Sequence, residues 1–414
     1  MPKKSVINRV FRLHKQSTIQ LPIGSVMVES PVHCPVCRDS RQHTFVHRKN
    51  VVAQQNLPQP SAEAARALPR GDLDMRCCPA CGFVFNAAFD ARLVDYGPSY
   101  DNQQNYSAVF AEHTRRLATD LIEDYGVRES RVVEIGCGKG AFLRLVVEAG
   151  GAGNTGLGFD PTYVGPLTDA DGRLQFEQTF YEQPVPGDVY ICRHVIEHVA
   201  EPLSLLNLVT DSLSLVPSAR VFFETPDVTW IFEHGVIWDL FYEHCSLFTP
   251  DSLSTAFEQA GMSVDSVRAV FGQQYMWLEA SRGPATSPPR DPGRTVELAD
   301  QFGRIEAERI GFWRQMLDEA AGNAVLWGAG AKGVTFVNLV DPEAEAVTAV
   351  TDINPGKQGR FIPGTGHRIV GPEELTRLDP SVIYVLNPNY VDEVAAEAQR
   401  LGLRGRVVDL MEAC

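Results

Sequence analysis

The stretch Val132-Val-Glu-Ile-Gly136-Cys-Gly138-Lys-Gly140 sets the reading of this chain. Its apolar start predicts a buried strand, and Phe142-Leu-Arg-Leu-Val-Val begins a helical pattern just after it. Glycines between a strand and a helix let the backbone pass close beneath a ligand, where a side chain would block it. Working outward, strand-like runs at 156–159, 188–192 and 219–224 alternate with helical patterns. Strands alternating with helices predict a parallel sheet and an α/β fold. Residues 283–293 hold four prolines and two glycines, so a linker or surface loop is expected there. A helix is predicted over 295–321. A shorter α/β pattern closes the chain, with strand candidates at 324–327, 346–351, 382–386 and 406–410. Before residue 109 turn signals dominate. The expected organisation is a tail (1–30), a small module (31–108), a central domain (109–283), a linker (284–294) and a C-terminal α/β domain (295–414).

The chain has 414 residues, 44% hydrophobic and 21% charged, which is globular composition with ample core material. Lys+Arg 37 against Asp+Glu 52 leaves a net charge of −15. Such a chain lacks the footprint of a nucleic-acid binder and would be repelled by anionic membranes. A local basic pocket for a small anion remains compatible with it. No apolar run reaches the roughly 20 residues needed to span a bilayer. Residues 1–16 carry Lys3, Lys4, Arg9, Arg12 and Lys15 without an apolar centre, which reads as a loose tail rather than a signal peptide. The nine cysteines are an odd set for a disulfide framework, and a reducing, cytoplasmic setting is expected.

Four of those cysteines look like a metal site. Cys34-Pro-Val-Cys37 and Cys78-Pro-Ala-Cys81 are both CxxC. Two intervening residues let one turn aim both thiolates at a single tetrahedral ion, and two such pairs make a closed Cys₄ set. Zinc in a structural role is the expectation. The interval 38–77 is longer than the usual 15–20 or so, so a subdomain must fill it. His33 and Cys77 stand close enough to compete as ligands.

The glycine loop itself admits two readings. Gly136, Gly138 and Ala141 fit the GxGxxA variant of the dinucleotide fingerprint. Glu134, Gly136, Gly138 and Gly140 also fit ExGxGxG, a pattern of S-adenosylmethionine (SAM) methyltransferases. Both want an acidic residue after the next strand to hold ribose hydroxyls, and Asp160 stands there. The downstream order breaks the tie: Arg193-His194-Val-Ile-Glu-His198-Val, then Phe222-Phe-Glu224-Thr-Pro226, then Tyr242-Glu243-His244-Cys-Ser-Leu-Phe-Thr. Over about residues 130–280 this resembles the class I SAM-dependent methyltransferases. The resemblance implies a Rossmann-like domain with Glu134, Gly136, Gly138, Gly140, Asp160 and His194 at the cofactor.

The last segment carries Gly328-Ala-Gly330-Ala-Lys332-Gly333 and Asp352-Ile-Asn-Pro-Gly-Lys357-Gln358. With the four-cysteine module and the SAM domain, it resembles the sugar C-methyltransferases that act on TDP-linked keto-deoxysugars in antibiotic biosynthesis. That resemblance implies a small-molecule substrate, a TDP-sugar, and a substrate-binding C-terminal domain. Lys332, Lys357 and Arg360 would then supply charge for a diphosphate, and Glu224 would hold a hydroxyl or orient a histidine. The oligomeric state stays open. Gly328, Gly330 and Gly333, with Asp352 19 residues on, also meet the NAD fingerprint. A nicotinamide oxidoreductase is therefore the alternative of another class, although the segment is half of a full dinucleotide fold and shows no hydride-transfer acid. A zinc-bearing scaffold with a decayed SAM site is a third reading, and the intact Glu134, Gly136, Gly138 and Asp160 count against it.

A carbon acceptor must lose a proton before it attacks the methyl group, which needs a base. The resemblance aligns His198 with a family active-site histidine and Glu243-His244 with its Glu-His pair. A tyrosine usually stands three positions before that second histidine; here Phe241 does, beside Tyr242. Either His244, Tyr242 or Tyr100 takes the proton, or the enzyme is an O- or N-methyltransferase on another natural-product intermediate. The segment from Asp95 through Tyr96 and Tyr100 to Tyr106 resembles the loop that closes over cofactor and substrate. Gln273, Gln274 and Tyr275 occupy a substrate-contact position, and the aromatic insertion at 230–238 either lines a pocket or packs.

Overall fold

The computed structural model describes residues 32–97, 99–100, 102–284, 291–320 and 322–412. The expected tail and most of the expected linker lie outside them. The chain opens with β1 (His43–Val52), α1 (Ala62–Arg66), β2 (Arg70–Cys77) and β3 (Val84–Asn86), paired antiparallel. Next, α2 (Ala108–Glu123) starts at Ser107, whose hydroxyl accepts from Phe110 N and so satisfies one orphan donor of the first turn.

The central sheet follows in a run of strand–helix units. They are β4 (Arg131–Ile135), α3 (Ala141–Ala149), β5 (Thr155–Phe159), β6 (Thr168–Asp169), β7 (Leu174–Glu177), β8 (Val189–Arg193), α4 (Pro202–Leu213) and β9 (Arg220–Pro226). Then come α5 (Val228–Glu233), β10 (Ser246–Leu247), α6 (Pro250–Gln259), β11 (Met262–Val270) and β12 (Tyr275–Arg282). The spatial order is β11-β12-β9-β8-β4-β5-β7-β6. Strands β7, β5, β4, β8 and β9 run parallel, and β12 is antiparallel between β9 and β11. The order switches at β4, with β5 on one side and β8 on the other. Open α/β sheets leave a crevice outside the carboxyl ends of the strands at such a point.

The C-terminal lobe contains α7 (Pro292–Glu319), β13 (Ala324–Trp327), α8 (Ala331–Val340), β14 (Val347–Thr351), β15 (Ile369–Val370), α9 (Leu375–Leu378), β16 (Val382–Val385), α10 (Val391–Arg400) and β17 (Arg406–Asp409). Its parallel sheet has the order β15-β14-β13-β16-β17, with its own switch at β13. Among the described residues no helix is long and apolar enough to cross a membrane.

Two local features depart from the expectations. Helix α7 begins three residues earlier than predicted, at Pro292, because the Asp291 side chain accepts from Gly293 N and proline is tolerated in a first turn. Strand β10 leaves the central segment and pairs with β3, completing the N-terminal sheet. The insertion at 230–238 packs instead of lining a pocket. Trp238 is fully buried against Phe336 and Trp313 at 5.5 and 6.4 Å between ring centroids. One apolar cluster runs from Leu73 and Met75 through Trp238 and Phe302 to Leu326, so all three segments share it.

Candidate active site

The glycine loop leaves the carboxyl end of β4 in left-handed backbone, with φ +73° at Gly136 and +55° at Gly138. A Cβ on Gly136 would meet Val195 Cγ2 at 2.1 Å, so only glycine fits. Above Gly138 there is open space. Asp160, at the end of β5, folds back onto this loop: Oδ2 accepts from Gly138 N at 2.7 Å, and Oδ1 from Thr162 N at 2.7 Å. Gly136, Gly138, Asp160, Tyr96, Tyr100 and His198 line one cavity there. Glu134 lies beneath it, 2% exposed, with Oε2 unpartnered; burial pushes its carboxyl up to about 7, against the pull of Arg193. Gly140 caps α3 and packs on Phe176, away from the cavity.

At the ends of β8 and β9 charges are concentrated. Glu224 is fully buried and receives Arg193 Nε at 2.7 Å and His113 Nε2, from α2, at 2.5 Å. His194 turns the chain with φ +54° and sits 3.4 Å from both Glu197 and Glu224. Burial opposes its charge, but those two carboxylates outweigh burial and hold His194 up at about 9. Burial would also raise Glu224, yet Arg193 and the histidines hold it well below the usual carboxylate range. It is a counter-ion with its bonds committed, not a free substrate ligand.

A less charged group stands beside it. His198 Nδ1 shares a 2.9 Å hydrogen bond with the Tyr96 hydroxyl, and the His198 and His244 rings cross at 4.8 Å. Phe241 covers His244 at 4.0 Å between centroids. His244 Nδ1 is buried without a hydrogen-bond partner. Burial first, then neighbouring cations, keeps His244 well below the ordinary histidine range and so neutral. Burial lowers His198 too. Glu243 accepts from Gln55 N at 2.7 Å, and burial pushes it up to about 7, where a carboxyl can give or take a proton near neutrality. Tyr100 packs on Tyr96 at 5.1 Å, its phenol raised by burial and by Glu243.

Other expected site residues lie elsewhere. Tyr242 does not line the loop cavity: its hydroxyl accepts from Asp90 N at 2.8 Å and its ring lies against Gly71. Lys332 pairs with Asp239 at 2.6 Å. Lys357 is 4% exposed and spans Ala329 O at 3.1 Å and Asp352 at 3.6 Å. Arg360 donates to Pro58 O. Asp352 binds its own glycine loop through Ala329 N at 2.8 Å, repeating the Asp160–Gly138 bond of the central lobe. Tyr106 is 47% exposed and does not line the loop cavity.

The four cysteines converge. Cys34 and Cys81 sulfurs are 3.6 Å apart and Cys37 and Cys78 sulfurs 3.4 Å, and all four lie within 4.8 Å of one another. Thiolates around zinc, with bonds of about 2.3 Å, stand roughly 3.8 Å apart, so the set fits that ion. Cys77 points away from the cluster, with its sulfur toward Cys78 O at 4.0 Å.

Residues 110–267 match the methyltransferase-domain family, and residues 298–408 match the family of C-methyltransferase C-terminal domains. The chain is a SAM-dependent methyltransferase. The methyltransferase is 26% identical to the C-methyltransferase NovU of Streptomyces niveus over 312 residues, which cover 68% of this chain and 72% of that one. It is 28% identical to a ubiquinone biosynthesis O-methyltransferase of Pseudoalteromonas translucida over 169 residues, 36% of this chain and 69% of the other. Among solved structures, the RosA dimethyltransferase of Streptomyces davawensis aligns with TM-score 0.33 and 22% identity, over 42% of this chain and 56% of that one. The methyltransferase's glycine loop, open above Gly138 and edged by Asp160, suits the cofactor of its class. Sequence reasoning missed Arg193, Glu197 and His113. The first two flank the quoted histidines and could have been read with them. His113 carries no local signal, because only the packing of α2 brings it to β9.

Proposed function

We propose that this methyltransferase methylates a carbon atom of a nucleotide-activated keto-deoxysugar. The observation that carries the reading is the group formed by His198, His244, Glu243 and Tyr96 at the edge of the loop cavity. Burial keeps both imidazoles in their neutral, proton-accepting form and brings Glu243 to about 7, beside the place where a methyl donor would sit. The C-methyltransferase C-terminal match and the likeness to a C-methyltransferase support the choice of carbon.

Bound SAM supplies an activated methyl electrophile. The chain's residues then have separable tasks. Gly136, Gly138 and Asp160 cradle and orient the cofactor. His244, neutral and with a free ring nitrogen, takes the acceptor's α-proton. Because methyl transfer to carbon releases one proton overall, that proton leaves His244 for solvent, with His198 beside it as the next acceptor. Tyr96, bonded to His198, and Tyr100, bonded to Glu243, shield the group from bulk water. His194, cationic between its two carboxylates, fixes the corner of the chain that carries them. Cys34, Cys37, Cys78 and Cys81 hold a structural zinc that ties the N-terminal turns together.

The test is exchange in D₂O. With S-adenosylhomocysteine bound, a TDP-linked keto-deoxysugar should lose its α-proton to solvent at a rate that His244→Asn abolishes. A substrate that is methylated without any such exchange would replace this reading. The second reading, O-methylation, is favoured by Phe241, which removes the tyrosine expected of the sugar family.

A further inference from the structure

A second cavity lies between the N-terminal sheet and the C-terminal lobe. Lys49 and Arg70 line it from the β1–β2 hairpin, Arg314 from α7, and Phe241 and Gln55 from the side of the reaction centre. Arg48 also reaches it, but its guanidinium is committed to Glu306 and to the carbonyls of Leu240 and Ile237, each at 2.7 Å. The other three cations have no carboxylate partner among the described residues. Arg70 donates to the carbonyls of Asn50 and Gly364 at 2.9 and 3.0 Å. Arg314 donates to Leu339 O at 2.9 Å. No acidic side chain lines this cavity. In a chain of net charge −15, three such cations around one hollow make a local positive field.

The wall toward the reaction centre is polar in another way. Gln55 is 2% exposed, and its Oε1 has no hydrogen-bond partner. A buried carbonyl left in that state is stabilised by a ligand hydroxyl or amide that donates to it. The backbone N–H of the same residue binds Glu243 at 2.7 Å. Phe241, in the same wall, lies over His244. His198 lines the loop cavity and its ring meets His244, which in turn meets Phe241 of the second cavity, so a chain of ring contacts links the two cavities.

We propose that this second cavity receives the acceptor, with its phosphate-bearing end against Lys49, Arg70 and Arg314 and its hydroxyl-bearing end against Gln55. The inference rests on the methyl-transfer reading above, and it moves anion binding away from Lys332, Lys357 and Arg360. Lys332 and Lys357 already have carboxylate partners in the fold. Guanidinium groups matched to phosphate oxygens bind through paired, charge-assisted hydrogen bonds, which a diphosphate ester offers in quantity.

The test is calorimetric titration of the full-length protein, loaded with S-adenosylhomocysteine, using inorganic pyrophosphate and TDP as probes. The Arg70→Ala/Arg314→Ala variant should bind TDP at least tenfold more weakly, with S-adenosylhomocysteine affinity unchanged. Lys49→Glu, at an exposed position free of partners among the described residues, should weaken TDP binding without affecting folding. Lys357→Ala should leave TDP affinity within about twofold. If the cavity variants bind TDP like the parent, or if the parent binds neither probe, the proposal is wrong. If pyrophosphate binding depends on the cavity but no TDP-linked keto-sugar is methylated, the cavity assignment stands and the sugar reading falls.

Discussion

Replacing Glu224 by glutamine should be among the most damaging single changes in the central lobe. The side chain is 0% exposed, with Arg193 at 2.7 Å, His113 at 2.5 Å and His194 at 3.4 Å. Glutamine keeps the shape and removes the charge. Arg193 is 9% exposed and would be left buried without its counter-ion. Breaking one partner of a buried ion pair typically costs about 3–5 kcal/mol, and that loss is expected at pH 7. The pH profile adds a second signature. His194 is held at about 9, above the ordinary value of about 6.5 for histidine. A group raised in this way contributes stability that is fully present below about pH 6.5 and is lost as pH rises through about 9. The interval of about 2.5 pH units corresponds to roughly 3 kcal/mol. With its side chain 18% exposed, little of that is lost to solvent screening. Glu197 and Glu224 share the effect, so Glu224→Gln should flatten about half of the slope between pH 6.5 and 9. Urea unfolding followed by tryptophan fluorescence, at pH 6 to 10 on both proteins, measures each quantity. A loss below about 1 kcal/mol at pH 7, or parallel pH profiles, would refute the reasoning.

Gly136→Ala should lower S-adenosylhomocysteine affinity more than tenfold by calorimetry, because its Cβ would sit 2.1 Å from Val195 Cγ2 at a φ of +73°; unchanged affinity would discredit the cradle. Cys81→Ser should reduce zinc, measured by plasma mass spectrometry, from one equivalent to almost none and lower the soluble yield; a full equivalent retained would mean that other residues bind it. His244→Asn should cut turnover by about 10²–10⁴-fold while S-adenosylhomocysteine binding persists, and an active variant would exclude it as the base. Tyr242→Phe, which loses only the hydroxyl that accepts from Asp90 N, should cost about 1 kcal/mol in stability and leave turnover within a few fold; abolished turnover at normal stability would return Tyr242 to the reaction centre.

Much of this protein is legible in one dimension. A strand such as 324–327 announces itself because a parallel strand buried on both faces is an unbroken apolar run, and 131–135 does so despite Arg131 and Glu134 because the glycine loop follows it. The glycine loop and the CxxC pairs are legible because their geometry is local: a tight turn or a single knuckle needs particular residues at fixed spacing. Glu134 and Asp160 stand out for the same reason, at fixed places around the glycine loop, whereas His198 and His244 are singled out only through the family resemblance.

The rest depended on contacts between residues far apart in sequence. Tyr242 and His244 are two positions apart, yet one hydroxyl meets Asp90 while the other side chain faces His198. No spacing rule separates them, because the turn after 238 is held by packing from two other lobes. Lys332 and Lys357 look like free cations in the sequence and are counter-ions in the fold. Arg70 and Arg314 show no motif and meet across one cavity. Local backbone chemistry thus determined which lobes form and where their loops bind. The assembly of those lobes decided which charges are spent inside the fold and which remain for a ligand, since Coulomb attraction and burial depend on distance in space and not along the chain.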